Sequence, residues 1–145
     1  MVLKHTLEVL LVEDNPFDAE LTITSLKENK LANNIYLAKD GAEALDYLFH
    51  KDGSLKEDTP KLILLDLKLP KIDGLEVLRR IKSNEKAKGI PVVVMTSSNQ
   101  ESDIEECYRL GVNSFITKPV EFEYFFKAVS SLGHYWLLLN KQPNT

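Results

Sequence analysis

A doubly wound α/β domain on a parallel sheet is the fold class this sequence predicts, on three observations. Short runs without a polar face, about as long as buried parallel strands, recur along the chain. Segments with helical period separate them, most opened by a residue suited to capping. About five such pairs fit in 145 residues, the length of a single domain, here 1–145.

The elements follow in order. LEVLLV, Leu7–Val12, is the first strand, and Asp14-Asn15-Pro16 opens a helix over residues 17–28 with a cap and a first-turn proline. NIYLA, 34–38, is a weaker strand, and Asp40-Gly41 opens a helix over 42–50. Residues 51–60 carry Gly53, Ser54 and Pro60 and read as a loop, the least ordered stretch of the domain. LILL, Leu62–Leu65, is the third strand, and Asp73-Gly74 opens a helix over 75–82 with Leu75, Leu78 and Ile81 on one face. PVVVM, 91–95, is the fourth strand, with Ser98-Asn99 opening a helix over 101–110. VNSFIT, 112–117, is the fifth, and Glu121 opens a last helix to about residue 139. The core therefore spans about 7–139, and 141–145 is expected to be a flexible tail. Right-handed crossovers between parallel strands put helices on both faces, a three-layer sandwich.

Composition narrows the function classes. The chain is 43% hydrophobic and 28% charged with a formal net charge of −4, which argues against a basic nucleic-acid footprint. Arg79-Arg80 is its one adjacent arginine pair and fits a solvated helix face. Cys107 is the single cysteine, which rules out an internal disulfide and a thiolate metal cluster and suggests a reducing, cytoplasmic compartment. Lys4, His5 and Glu8 interrupt the apolar start, so no signal peptide is expected. No apolar run approaches the ~18 residues of a membrane span.

The fully apolar run at 62–65 ends in Asp66. A lone Asp there is ordinarily a turn or cap residue. Other strand ends supply company: Glu13 and Asp14 after the first, Thr96, Ser97 and Ser98 after the fourth, Lys118-Pro119 after the fifth. In a doubly wound sheet such groups gather at the carboxyl edge, and in the flavodoxin-like order 2-1-3-4-5 the first and third strands are neighbours. Glu13, Asp14 and Asp66 then meet in one crevice. Carboxylates crowded together repel, and a hard divalent cation such as Mg²⁺ removes the conflict. Lys118 adds a fixed positive charge, Thr96 a hydroxyl, and Asp66 a nucleophile, a set suited to phosphoryl transfer onto Asp66. Taken singly, Glu13-Asp14 could be a helix-start pair, Thr96 a helix-start residue and Lys118 a surface lysine.

VLLVEDN, LILLDLKLPKIDGLEVL, VVVMTSS and FITKP together resemble the receiver domains of two-component response regulators, over nearly the whole chain. The resemblance implies that Asp66 accepts the phosphoryl group and that Glu13 and Asp14 are the acidic pair, with Asp14 the direct metal ligand. It implies that Lys68 supplies a backbone carbonyl to the metal, that Thr96 and Lys118 contact the phosphoryl group, and that small Ser97 permits access. Phe115 would be the switch aromatic, moving with Thr96, and Lys118-Pro119 would form a cis peptide bond. The loop before the third strand, LKLPKIDG and the C-terminal extension look most like single-domain regulators paired with bacterial phytochrome-type histidine kinases. Lys68 departs from the short residue of many receivers, which bears on phosphoryl lifetime. The expected partners are such a sensor kinase and a downstream protein, with neither nucleic acid nor membrane, and no turnover beyond phosphoryl transfer and slow autodephosphorylation.

Three alternatives compete. A Mg²⁺-dependent phosphohydrolase of the haloacid dehalogenase type would place an acid two residues after its nucleophile, where this chain has Lys68. A flavodoxin-like nucleotide binder would want a glycine- or hydroxyl-rich loop after the first strand, where VEDNPFD is acidic. An inactive receiver-like docking module would not need the full residue set. On the last helix, Phe122, Phe125, Val129, Leu132 and Trp136 form one apolar side, and Tyr124, Ala128, Tyr135 and Leu139 a second. The second stripe suggests a homodimer, against the plainer reading of one wide core face; Gly133 weakens the helix there.

Overall fold

Strand β3, Leu62–Leu65, is buried at every position, the mark of a central strand covered on both faces. In the computed structural model, which describes residues 7–28, 32–97, 101–112 and 114–117, it lies in the middle of a five-stranded sheet. The strands are β1 Leu7–Val12, β2 Ala32–Ala38, β3, β4 Val92–Thr96 and β5 Ser114–Thr117. All pair in parallel, in the order β2-β1-β3-β4-β5, as expected for the doubly wound fold. The described helices are α1 Pro16–Glu28, α2 Gly41–Leu48, α3 Gly74–Ser83 and α4 Glu101–Arg109, with a 3-10 turn at Ala87–Gly89. The helix anticipated after Glu121 and the tail at 141–145 lie outside the described residues. Among the described residues no helix is long and apolar enough to cross a membrane.

Strand alternation sorts the core into two layers. Leu10, Val12, Ile63, Leu65, Val92 and Val94 face α2, α3 and α4, where Leu48, Leu78, Ile81 and Cys107 complete the larger cluster. Val9, Leu11, Leu62, Leu64, Val93 and Met95 face the other way, against Ala19 and Leu26 of α1. Helix α3 buries Gly74, Val77, Leu78 and Ile81, so Val77 belongs to its inner face while Leu75 is only half-buried. Arg79 and Arg80 lie outside, both paired with Glu76, and Arg79 also reaches Glu106 of α4 at 3.6 Å.

Several boundaries differ from expectation for local reasons. Strand β4 begins at Val92 because Pro91 has no N–H for the ladder, although its carbonyl accepts from Ile63 N at 2.9 Å. Strand β5 begins at Ser114, not 112. Val112 instead closes α4, its N–H donating to Cys107 O at 3.1 Å beside Gly111 at φ 94°, a Schellman-type end. Helix α2 stops at Leu48, not 50, because Phe49 turns extended and bridges Leu55. The first part of the 51–60 stretch, expected to be the least ordered, is thereby tied down. His50 N donates to Ser54 O at 2.8 Å, Lys56 N to Leu48 O at 2.8 Å, and Gly53 turns the chain at φ 90°.

Candidate functional site

Val12 and Leu65 are register partners at the ends of β1 and β3, so the residues after them leave the sheet at the same edge. The ladder continues one step beyond each strand. Asp66 N donates to Val12 O and Glu13 N to Ala38 O, both at 3.0 Å. Those bonds hold the backbones from which the acids project. Carboxylate oxygens of Glu13, Asp14 and Asp66 come together within 4.8 Å of one another. Glu13 and Asp66 are buried and Asp14 is exposed, so the cluster is open to solvent on one side.

The two buried acids are braced locally. Glu13 Oε2 accepts from Asn15 N at 3.2 Å, and Asn15 in turn caps α1, its Oδ1 accepting from Phe17 N at 2.9 Å and Asp18 N at 3.0 Å. Asp66 Oδ1 accepts from Lys68 N at 3.0 Å, which turns the loop after β3 back toward the acid. Helix α3 then starts against that loop. Gly74 N donates to Leu67 O at 2.9 Å, and a Cβ on Gly74 would stand 2.5 Å from the Asp66 carbonyl oxygen. Glycine is needed there for close approach.

The donor set suits a hard divalent cation: oxygen atoms only, carrying formal negative charge, two of the residues withdrawn from water. In such surroundings the carboxylates are poorly screened from one another, and a cation between them offsets their repulsion. The remaining anticipated residues are placed less fully. Thr96 ends β4 level with Thr117 of β5, and Ser97 beyond it is exposed. Phe115 is half-buried on β5, packed against the larger core cluster. Lys68 is exposed, and its N–H contact with Asp66 adds to the carbonyl role anticipated for it. Lys118 and Pro119 lie outside the described residues. The bracing by Asn15 and Gly74 was not anticipated, although Asn15-Pro16 and Asp73-Gly74 had marked both helix starts.

Comparison with known proteins agrees with this arrangement. The model of the response regulator receiver domain matches residues 9–130. The chain is 41% identical over 136 residues to the probable methanogenesis regulatory protein FilR2 of Methanothrix harundinacea, covering 93% of this chain and 86% of that one. It is 40% identical over 129 residues to response regulator Rcp1 of Synechocystis sp., covering 89% and 88%. Among solved structures, the bacteriophytochrome response regulator AtBRR is 48% identical with a TM-score of 0.71, over 97% of this chain and 99% of that one. The phosphorylated cyanobacterial phytochrome response regulator RcpA is 40% identical with a TM-score of 0.77, over 91% and 94%. The Mn²⁺-bound form of Rcp1 is 39% identical with a TM-score of 0.76, over 90% and 94%. The phosphohydrolase, nucleotide-binder and inactive-module readings are set aside on these grounds. With the fold, the carboxylate crevice and the family match in agreement, the chain belongs to the response regulator receiver family, as a phosphoacceptor signalling protein of two-component systems.

Proposed function

We propose that Asp66 is the phosphoacceptor, and that the single receiver domain of residues 1–145 takes its phosphoryl group from a sensor histidine kinase. The observation that carries this reading is the meeting of Glu13, Asp14 and Asp66 within 4.8 Å at the carboxyl edge of β1 and β3. An Asp66 carboxylate oxygen attacks phosphorus, the P–N bond to the kinase imidazole breaks with its electron pair staying on the ring nitrogen, and the imidazole leaves neutral, its proton on the other ring nitrogen or taken from water. Glu13, Asp14, Asp66 and the Lys68 carbonyl would hold Mg²⁺, which when bound offsets the negative charge shared by acceptor and phosphoryl oxygens. The oxygen-only donor set supports Mg²⁺, and Mn²⁺ in Rcp1 supports a divalent ion there.

Around the acceptor, Lys118 and Thr96 bind the phosphoryl oxygens, Lys118 aimed by a cis bond to Pro119, while Ser97 leaves the approach open. Thr96 moving toward the phosphoryl group would let the Phe115 ring turn inward, biasing two pre-existing packings. The half-buried position of Phe115 at the edge of the core supports such mobility. A phytochrome-type kinase as donor is supported by the likeness to AtBRR and RcpA. A cytoplasmic location follows from that partner, and the doubled apolar stripe of residues 122–139 supports a homodimer. Autodephosphorylation is slow, with Lys68 at the pocket mouth governing access of water.

The decisive experiment is Mg²⁺-dependent labelling by acetyl phosphate and by a phosphorylated kinase. Wild type should take up acid-stable, base-labile label and Asp66→Asn none; undiminished label on Asp66→Asn sinks the assignment. Crystals with and without beryllofluoride should differ in the Phe115 rotamer and show the 118–119 bond cis, and identical rings or a trans bond would remove those parts. Sedimentation should give a dimer that Tyr124→Glu with Leu139→Glu dissociates, whereas a wild-type monomer at tens of micromolar, with and without the mimic, would exclude the dimer.

A further inference from the structure

Lys71 has φ 69°, the only described non-glycine residue in the left-handed region. That conformation favours glycine or asparagine, so a lysine there is held by its surroundings. Its ammonium lies 3.5 Å from Asp40 Oδ2, across the molecule's carboxyl edge from the turn between β2 and α2. Asp40 is buried and uses its other oxygen too, Oδ1 accepting from Glu43 N at 2.8 Å as the cap of α2. What lysine adds at position 71 over a cheaper glycine is this reach to Asp40.

The contact is one of three pins on the same loop. At residue 72, a Cβ on Gly41 would stand 1.9 Å from the Ile72 carbonyl oxygen, so the β2–α2 turn abuts the loop backbone directly. At the far end, a Cβ on Gly74 would stand 2.4 Å from Leu67 Cα and 2.5 Å from the Asp66 carbonyl oxygen. Between the pins runs the peptide of Lys68, whose N–H binds Asp66 Oδ1. We propose that Asp40 and Lys71 are positioning residues for the acceptor site, their ion pair pinning the 67–73 loop so that the Lys68 peptide is held against the Asp66 carboxylate. The inference rests on Asp66 being the acceptor and extends the machinery to a turn that touches neither phosphoryl group nor metal.

The test uses the full chain with Lys71→Met, Lys71→Arg and Asp40→Asn, the last chosen because asparagine also caps helices. Mn²⁺ affinity is read by the resonance of the free ion, with initial labelling by acetyl phosphate and melting temperature alongside. Lys71→Met and Asp40→Asn should each bind Mn²⁺ about two- to tenfold more weakly, between the effect of an exposed ion pair and that of an outer-shell ligand support. Lys71→Arg should stay near wild type, and the deficit relative to wild type should narrow in high salt, where a part-exposed pair is screened. A purely structural role would lower the melting temperature and leave Mn²⁺ affinity alone. Wild-type affinity in both charge-removing variants overturns the proposal, as does Lys71→Arg behaving like Lys71→Met. Asp66→Asn run in parallel separates the two readings. Label on that variant overturns the acceptor assignment, whereas no label there with wild-type affinity in Lys71→Met and Asp40→Asn overturns the pin alone.

Discussion

Gly74→Ala isolates one steric demand of the site. A Cβ at residue 74 would lie 2.4 Å from Leu67 Cα and 2.5 Å from the Asp66 carbonyl oxygen, against the 3.0 Å that Cβ contacts essentially never undercut. Both obstacles are backbone, so relief requires the loop and α3 to part by about half an ångström; overpacking of this kind costs about 1–3 kcal/mol. Alanine recovers about 0.5–1 kcal/mol of backbone entropy in a helix, leaving a net loss of about 0.5–2 kcal/mol. Unfolding entropy of about 2.1 cal/mol/K per residue gives about 0.3 kcal/mol/K for this chain, so the melting point should fall by roughly 2–7 °C. Gly89→Ala is the internal control, because nothing lies within 4 Å of its added Cβ, and it should be neutral or stabilising by about 0.4–1 kcal/mol. Calorimetry on both variants, with acetyl phosphate labelling, makes the comparison. Gly74→Ala should also label more slowly, because the displaced backbone carries Asp66 itself. A Gly74→Ala protein as stable as wild type, or a Gly89→Ala protein less stable than Gly74→Ala, would refute the steric reasoning.

Further outcomes follow from the same structure. Burial pushes the Cys107 thiol up to about 11, so at pH 8 only about one part in a thousand is thiolate; iodoacetamide should leave the native protein unmodified and label it once in urea. Leu78→Ala empties a fully buried position in the larger cluster and should cost about 2–5 kcal/mol by urea titration. The Glu43 N–H held by Asp40, and then Lys71 beside it, set the Asp40 carboxyl below its ordinary 3.8. Its contribution is therefore complete above that value and lost as pH falls through the folded one, so Asp40→Asn should lose less stability than wild type between pH 5 and pH 2. Removing divalent ions with EDTA should abolish labelling while leaving far-UV circular dichroism unchanged; loss of the fold instead would mean the ion is structural.

What could be read from the sequence depended on how local its cause is. Runs such as 62–65 announce buried strands because both faces are covered, and the acids after them are legible because strand ends share an edge. The inner face of α3 is wider than its period alone showed, since Leu75 packs against the same cluster as Leu78 and Ile81 and Val77 is buried beside them. Two signals were present but unread. Gly111 marks the close of α4, and Asp52-Gly53 marks the turn that ties residues 49–55 into a hairpin. The Asp40–Lys71 pair had no local sign, because it depends on two loops meeting at the sheet edge. Gly41 and Gly74 were visible as helix starts but not as points where backbones touch.

The acids of the site hang from β1 and β3, which are hydrogen-bonded to neighbours on both sides, whereas β2 and β5 each have one. In native-state deuterium exchange, amides in such interior strands should be among the slowest to open. The carboxylates would then stay in register until late in unfolding, while the side of the crevice that borders β5 rests on a strand with one neighbour. Gentle heating should therefore weaken the grip on the phosphoryl oxygens before it scatters the acids.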